Sequence, residues 1–208
     1  MQGNAYAVDL VLCVDATGSM APIIDVVKEK ALSFHQDLQQ VMNEKHKRVS
    51  ELRIRVIGFR DYYFDGDLAM ESSEFFKLPE QREQFSEFVR GLVAYGGGDE
   101  PENGLEALAL AMASDWNDSP GKRRQVIVMW TDASAHKLEL HSGDKPETYP
   151  PNLPRDFSSL TDLWETAVDR NARRLLVYAP DAYAWTDISN NWLYTAKRGA
   201  RPLMRAVG

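Results

Sequence analysis

The 208-residue chain has a single cysteine, Cys13, and it lies inside the apolar run from Val8 to Val14. No internal disulfide can form, so the fold must rest on packing, and a reducing compartment is the simpler setting. Long apolar runs are also missing. Nothing approaches the roughly 18 continuous apolar residues of a membrane span, and the N-terminus lacks the basic start and apolar stretch of a secretory signal. These absences lead to the expectation of a soluble, cytoplasmic protein. An excess of basic residues is absent too: 24 Lys and Arg stand against 31 Asp and Glu, a net charge of −7. That balance argues against nucleic acid as a partner. Only from Arg170 onward does the sign reverse, with seven basic and two acidic residues. Without a folded recognition motif, this stretch reads as a solvated helix face and tail, or as a dock for an acidic partner.

Catalytic signatures are lacking as well. There is no GxSxG elbow and no GxxxxGK[ST] phosphate loop. His136 and His141 form neither an HExxH pair nor a Cys/His cluster, which excludes the usual zinc chemistry. Gly96-Gly97-Gly98 is not a dinucleotide fingerprint, because Pro101 stands where the last glycine would fall. The chain is therefore read as a non-enzyme with no catalytic residue.

What is present is ample core material: 44% hydrophobic residues, including five Trp, eight Tyr and eight Phe, enough for a single domain over residues 1–208. Ala5 to Val14 reads as a strand, and three- and four-residue apolar spacing predicts a helix from Pro22 to about Lys45. Leu52 to Phe59 alternates, with Leu52, Ile54 and Val56 inward and Arg53 and Arg55 on a wetter side. Phe75 to Leu78 reads as a short edge strand, followed by a helix carrying Phe85, Phe88, Val89 and Leu92. Glu102 to Trp116 reads as an Ala/Leu-rich helix, Gln125 to Thr131 as a buried strand, and Ser134 to Asp156 as a proline-rich excursion. Ser159 to Arg170 predicts a helix, Arg174 to Ala179 a strand, and Asp187 to Lys197 a last helix. Alternating strands and helices imply an α/β fold, Rossmann-like and doubly wound, with a mainly parallel central sheet and helices on both faces. Ligands in such folds bind where loops leave the carboxyl ends of the strands.

Three loops at such positions carry hard oxygen donors. Asp15-Ala16-Thr17-Gly18-Ser19 follows the first strand, and Thr131-Asp132 follows the buried strand. Between them, Gly96-Gly97-Gly98-Asp99-Glu100-Pro101-Glu102 precedes a helix. Carboxylates and hydroxyls without sulfur or imidazole suit Mg²⁺, with Mn²⁺ or Ca²⁺ as alternatives. Taken alone, Asp15-x-Thr17-x-Ser19 is equally a polar turn that caps the next helix. Asp99 reads either as a ligand or as a helix cap, with Glu100 and Glu102 favouring the helix dipole. Asp61 could support the metal from behind, whereas Asp65 to Asp67 reads as an exposed turn.

Asp15-x-Thr17-x-Ser19 resembles the Asp-x-Ser/Thr-x-Ser signature of von Willebrand factor type A (VWA) domains with a metal-ion-dependent adhesion site (MIDAS). The similarity extends through Val8 to Val14, Met20, Val56-Ile57-Gly58-Phe59-Arg60-Asp61-Tyr62, the triple glycine with its acidic continuation, and Trp130-Thr131-Asp132-Ala133. The resemblance implies an intracellular VWA domain with strand order 3-2-1-4-5-6. It implies a magnesium site of Asp15, Thr17, Ser19, Asp99 and Asp132, with Asp99 in place of the usual threonine. It also implies protein recognition as an adaptor or scaffold, with an acidic side chain of a protein partner completing the metal site. Arg60, Asp61, His136 and the loop from Ala135 to Asp156 are expected to form the surface such a partner reads. The alternative from a different class is a metal-dependent hydrolase of a phosphate or ester.

Overall fold

The computed structural model describes residues 5–98, 100–141, 146–193 and 195–198. The N-terminal apolar run forms β1 (Ala5–Asp15), the middle strand of a sheet that has seven strands among the described residues. It pairs in parallel with β2 (Arg48–Phe59) on one side and with β5 (Lys122–Trp130) on the other. Beyond β5, β6 (Arg173–Tyr178) and β7 (Thr195–Arg198) continue the parallel series. The outer edge of β2 carries two short antiparallel strands, β3 (Met70–Ser72) and β4 (Phe76–Leu78). Taken together as one interrupted edge strand, they give the 3-2-1-4-5-6 order.

Side-chain alternation along β1 feeds two cores, one on each face of the sheet. Leu10, Leu12 and Val14 face the layer of α1 (Ile24–Glu44) and α3 (Arg82–Gly91), sharing a core with Val27, Ala31, Phe85 and Val89. Val11 and Cys13 face α4 (Gly104–Met112), α5 (Phe157–Ala167) and α6 (Trp185–Asn191), whose Leu105, Leu108, Trp164 and Trp185 fill the opposite core. Each such buried apolar side chain contributes about 1.5–3 kcal/mol. In α4, eight of nine residues are buried, and a helix apolar nearly all round belongs in an interior. Its first residue must be small, because a Cβ on Gly104 would lie 2.7 Å from Cζ2 of Trp185.

The side of β2 expected to be wet is instead internally paired. Arg53 grips the buried Asp9 carboxylate with Nε at 2.9 Å and Nη2 at 2.7 Å. Arg55 donates to the Ser73 carbonyl and to Ser114 Oγ, each at 2.9 Å. The predicted helix over Asp187 to Lys197 is also corrected. α6 ends at Asn191 although buried Trp192 continues its apolar spacing, and the free edge of β6 takes up Thr195–Arg198 as β7. Neither β3 nor the one-turn helix α2 (Tyr62–Asp65) is foreseen by periodicity, since three or four residues show none. No described helix is long and apolar enough to cross a membrane. Because the main strands are parallel, Asp15, Phe59, Trp130 and Tyr178 end at one pole of the sheet.

Candidate metal centre

Asp15 is the last residue of β1 and fully buried. Its Oδ1 accepts the Thr17 amide at 3.0 Å and the Thr17 hydroxyl at 2.6 Å, while Oδ2 accepts the Thr131 hydroxyl at 2.6 Å. Burial nevertheless outweighs these bonds and, helped by the charge of Asp132, pushes the Asp15 carboxyl up to about 6. Ser19 Oγ donates to Asp132 Oδ1 at 2.9 Å, and Thr17 Oγ1 and Ser19 Oγ lie 3.2 Å apart. Each hydroxyl has one proton. The two hydroxyls thus link Asp15 to Asp132 in a line of oxygens across the two loops.

The second loop is drawn tightly against the first. Gly18 N donates to the Gly96 carbonyl at 3.2 Å and Tyr95 N to the Ala16 carbonyl at 3.0 Å. Gly97 has a φ of +80°, and a Cβ there would come within 2.6 Å of both Thr17 Cγ2 and Glu102 Oε1. Asp65, expected in an exposed turn, instead accepts the Gly97 amide at 2.9 Å. Arg60, expected on the partner-reading surface, is wholly buried. Its guanidinium donates to the carbonyls of Ala16, Leu68 and Val93 and to the Glu71 carboxylate, and stacks on Tyr95. Five donors in a fixed fork let one side chain brace several loops at once.

Glu102 is 4% exposed and joins the second loop to the third. Its amide donates to the Ser134 carbonyl at 3.0 Å, and its carbonyl accepts the His136 amide at 2.9 Å. It lines a cleft of about 240 Å³ together with Thr17, Ser19, Gly97 and Asp132. Oε2 is sealed from solvent and accepts no hydrogen bond from any described residue. An unsatisfied buried acceptor costs about 1–3 kcal/mol, more if charged. Burial first, then the charges of Asp15, Asp61, Asp65 and Asp132, push the Glu102 carboxyl up to about 9.

Of the expected site residues, Asp15, Thr17, Ser19 and Asp132 are gathered at the pole, whereas Asp99 lies outside the described residues. Asp61 caps α2 through the Tyr63 amide at 2.8 Å and faces His136 Nε2 at 3.5 Å. Sequence reasoning missed two contributors. Thr131 orients Asp15, and its signal was a hydroxyl residue immediately before Asp132 at a strand end. By sequence Glu102 reads as an acid favouring the helix dipole, although it belongs to the same acidic loop. Among the described residues, no group of three or more His, Cys, Asp and Glu is placed to hold a metal ion. A cation at this pole would need the hydroxyls of Thr17 and Ser19 beside the carboxylates of Asp15 and Asp132. The resulting all-oxygen donor set, with an orphaned buried carboxylate oxygen beside it, fits Mg²⁺, Mn²⁺ or Ca²⁺.

A profile of the von Willebrand factor A domain matches residues 9–145, from within β1 past the third loop. The chain belongs to the von Willebrand factor A domain family. Similar to it is the alpha-protein kinase vwkA of Dictyostelium discoideum, 29% identical over 164 residues, which make up 79% of this chain and 24% of the kinase. An ariadne-like RING finger protein of Acanthamoeba polyphaga mimivirus is 32% identical over 181 residues, covering 84% of this chain and 16% of that protein. The VWA chain thus spans a quarter or less of the length of these two relatives. Among solved structures, the pilus adhesin SpaC of Lactobacillus rhamnosus GG matches with a TM-score of 0.61 at 14% identity, over 99% of this chain and 30% of SpaC. Proximal thread matrix protein 1 of the mussel byssus matches with a TM-score of 0.52 at 9% identity, over 100% of this chain and 48% of that one. At these identities the structural likeness is one of fold. Membership of the VWA family marks the chain as a protein-interaction domain.

Proposed function

We propose that this VWA domain is a non-catalytic adaptor of the intracellular type that recognises a protein partner through a MIDAS holding a divalent cation, Mg²⁺ before Mn²⁺ or Ca²⁺. The observation that carries the reading is the continuous oxygen chain Asp15–Thr17–Ser19–Asp132 across two strand ends. Asp15, Thr17, Ser19 and Asp132, with Asp99 from the second loop, would hold the ion directly or through water. When bound, the ion supplies a fixed positive centre that can coordinate an oxygen donor from a partner. The chain's own contribution is to orient these oxygens. Thr131 fixes one edge of Asp15, Thr17 the other, and Arg60 and Asp65 hold the flanking backbone. An acidic side chain of the partner is the donor that suits this centre. A cytoplasmic setting agrees with the lone buried Cys13, whose thiol burial pushes up to about 12 and so keeps unreactive.

The test is affinity capture from cell extract in Mg²⁺ and in EDTA, using the wild type and Asp15→Ala. A partner retained only by the wild type in Mg²⁺ supports the reading. A partner retained equally under all conditions contradicts it.

A further inference from the structure

The geometry points to a second recognition surface at the opposite pole of the sheet, a basic cleft that takes a carboxylate-rich segment of a partner protein. It needs no cation. At the rise of an extended strand, β1 from Tyr6 to Asp15 spans about 30 Å, so the cleft lies far from the Asp15 rim.

Tyr6 stands near the start of β1, and three cations gather around its buried ring. Lys47 Nζ lies 5.7 Å and Lys122 Nζ 5.8 Å from the ring centre, and the Arg124 guanidinium carbon 5.2 Å. Sheet order brings these distant residues together. Lys47 directly precedes β2 on one side of β1, while β5 on the other side carries Lys122 and Arg124 two residues apart on one face. None of the three forms an ion pair with a described carboxylate. The acid beside them is already engaged, since Asp169 accepts Arg123 Nη2 at 2.7 Å and the Asn171 amide at 2.9 Å. A ring face attracts cations, yet three like charges around one ring repel each other and remain unneutralised. Tyr6, Lys122, Arg123, Arg124 and Asp169 line a cleft of about 360 Å³ at this place. The cluster is distinct from the basic stretch that begins at Arg170, of which Arg173 is wholly buried with Nη2 on Glu165 Oε2 at 2.8 Å.

The class of partner follows from what surrounds the cations. The chain as a whole carries a net charge of −7, so an acidic segment is repelled elsewhere and held where positive charge is concentrated. Nucleic acid fits less well. The ring that could stack a base is only 8% exposed, and Asp169 stands in the wall against a run of phosphates. An anionic membrane fits less well too, because none of the exposed large apolar side chains among the described residues lines the cleft to anchor it. Carboxylates on a flexible segment can enter a concave site and pair with Lys and Arg one at a time.

The experiment is a fluorescence anisotropy titration of a labelled decaglutamate peptide with the full 208-residue chain at low salt, in EDTA and in Mg²⁺. The wild type is compared with a triple variant, Lys47→Gln with Lys122→Gln and Arg124→Gln. A control variant, Lys30→Gln with Arg82→Gln and Arg90→Gln, removes the same charge from exposed positions of α1 and α3. Expected is binding that is equal in EDTA and Mg²⁺, falls about tenfold or more in the first variant, and changes less than about twofold in the second. No binding by the wild type, or equal losses in the two variants, overturns the inference. Tighter binding of an oligothymidylate of matched length, or of phosphatidylserine vesicles, assigns the cleft to nucleic acid or membrane and overturns it as well. Binding abolished by EDTA places the peptide at the Asp15 rim and has the same consequence. Should the triple variant fail to fold, Lys122→Gln, at an exposed position, is read against Arg82→Gln, with a loss of about threefold expected and equal affinities contradicting the inference.

Discussion

Ser19 Oγ donates to Asp132 Oδ1 at 2.9 Å, a bond between residues 113 positions apart that ties the turn after β1 to the turn after β5. Ser19 is exposed, so the bond contributes little to stability, in contrast to its expected weight in gathering the ion. Ser19→Ala is predicted to weaken Mg²⁺ affinity by about tenfold or more while shifting unfolding in EDTA by less than about 0.5 kcal/mol. Calorimetric titration and urea denaturation measure the two quantities. Equal losses in both would mean that Ser19 acts on the fold.

Gly97→Ala places a methyl group where Thr17 and Glu102 already meet, at a backbone φ of +80°. It is expected to destabilise the metal-free protein by about 1–3 kcal/mol and to abolish cation uptake, because the second loop must withdraw from the first. Gly66→Ala also has a positive φ, of +54°, but meets nothing within 4 Å. It should show the backbone cost without the loss of binding.

Arg60→Ala removes a buried cation and leaves the carbonyls of Ala16, Leu68 and Val93 without their donor. Deleting one partner of such a buried network costs about 3–5 kcal/mol. Hydrogen exchange should show faster opening of the loops at the sheet pole, with the central strand β1 still protected.

In the metal-free protein, Asp15 is raised from 3.8 to about 6 and Glu102 from 4.5 to about 9. The folded state thus binds these protons more tightly than the unfolded chain. The stability they contribute is complete below about pH 4 and is lost as pH rises through 6 and then 9. The lowered carboxyls of Glu100, Asp156 and Asp169 are ionised in both states across that window and do not offset the trend. Melting in EDTA should therefore fall between pH 5 and 9, and added Mg²⁺ should restore it most at the alkaline end. A melting point in EDTA that climbs with pH would contradict the assignment of these two groups.

The parallel sheet and its two cores were legible because long apolar runs and helical spacing report burial directly, as in β1, α1 and β5. The loops that meet at the sheet pole were legible for a related reason. Asp15-x-Thr17-x-Ser19 is local, and Asp132 sits at the end of a strand that periodicity identifies. Arg60 was not legible, since a charged residue at a strand end looks alike whether it faces water or four acceptors. Asp65 and Glu102 escaped because their partners, the Gly97 amide and the cleft beside Thr17, are set by how loops close on each other. Thr195–Arg198 escaped because pairing on an open edge depends on the neighbouring strand more than on the four residues themselves.

The most direct measurement is calorimetric titration of the EDTA-stripped chain with Mg²⁺ and with Mn²⁺, repeated on Asp15→Ala and Asp132→Ala. One saturable site in the wild type, lost or weakened at least about tenfold in each variant, is the predicted result. No uptake by the wild type, or uptake that neither substitution alters, would contradict the account.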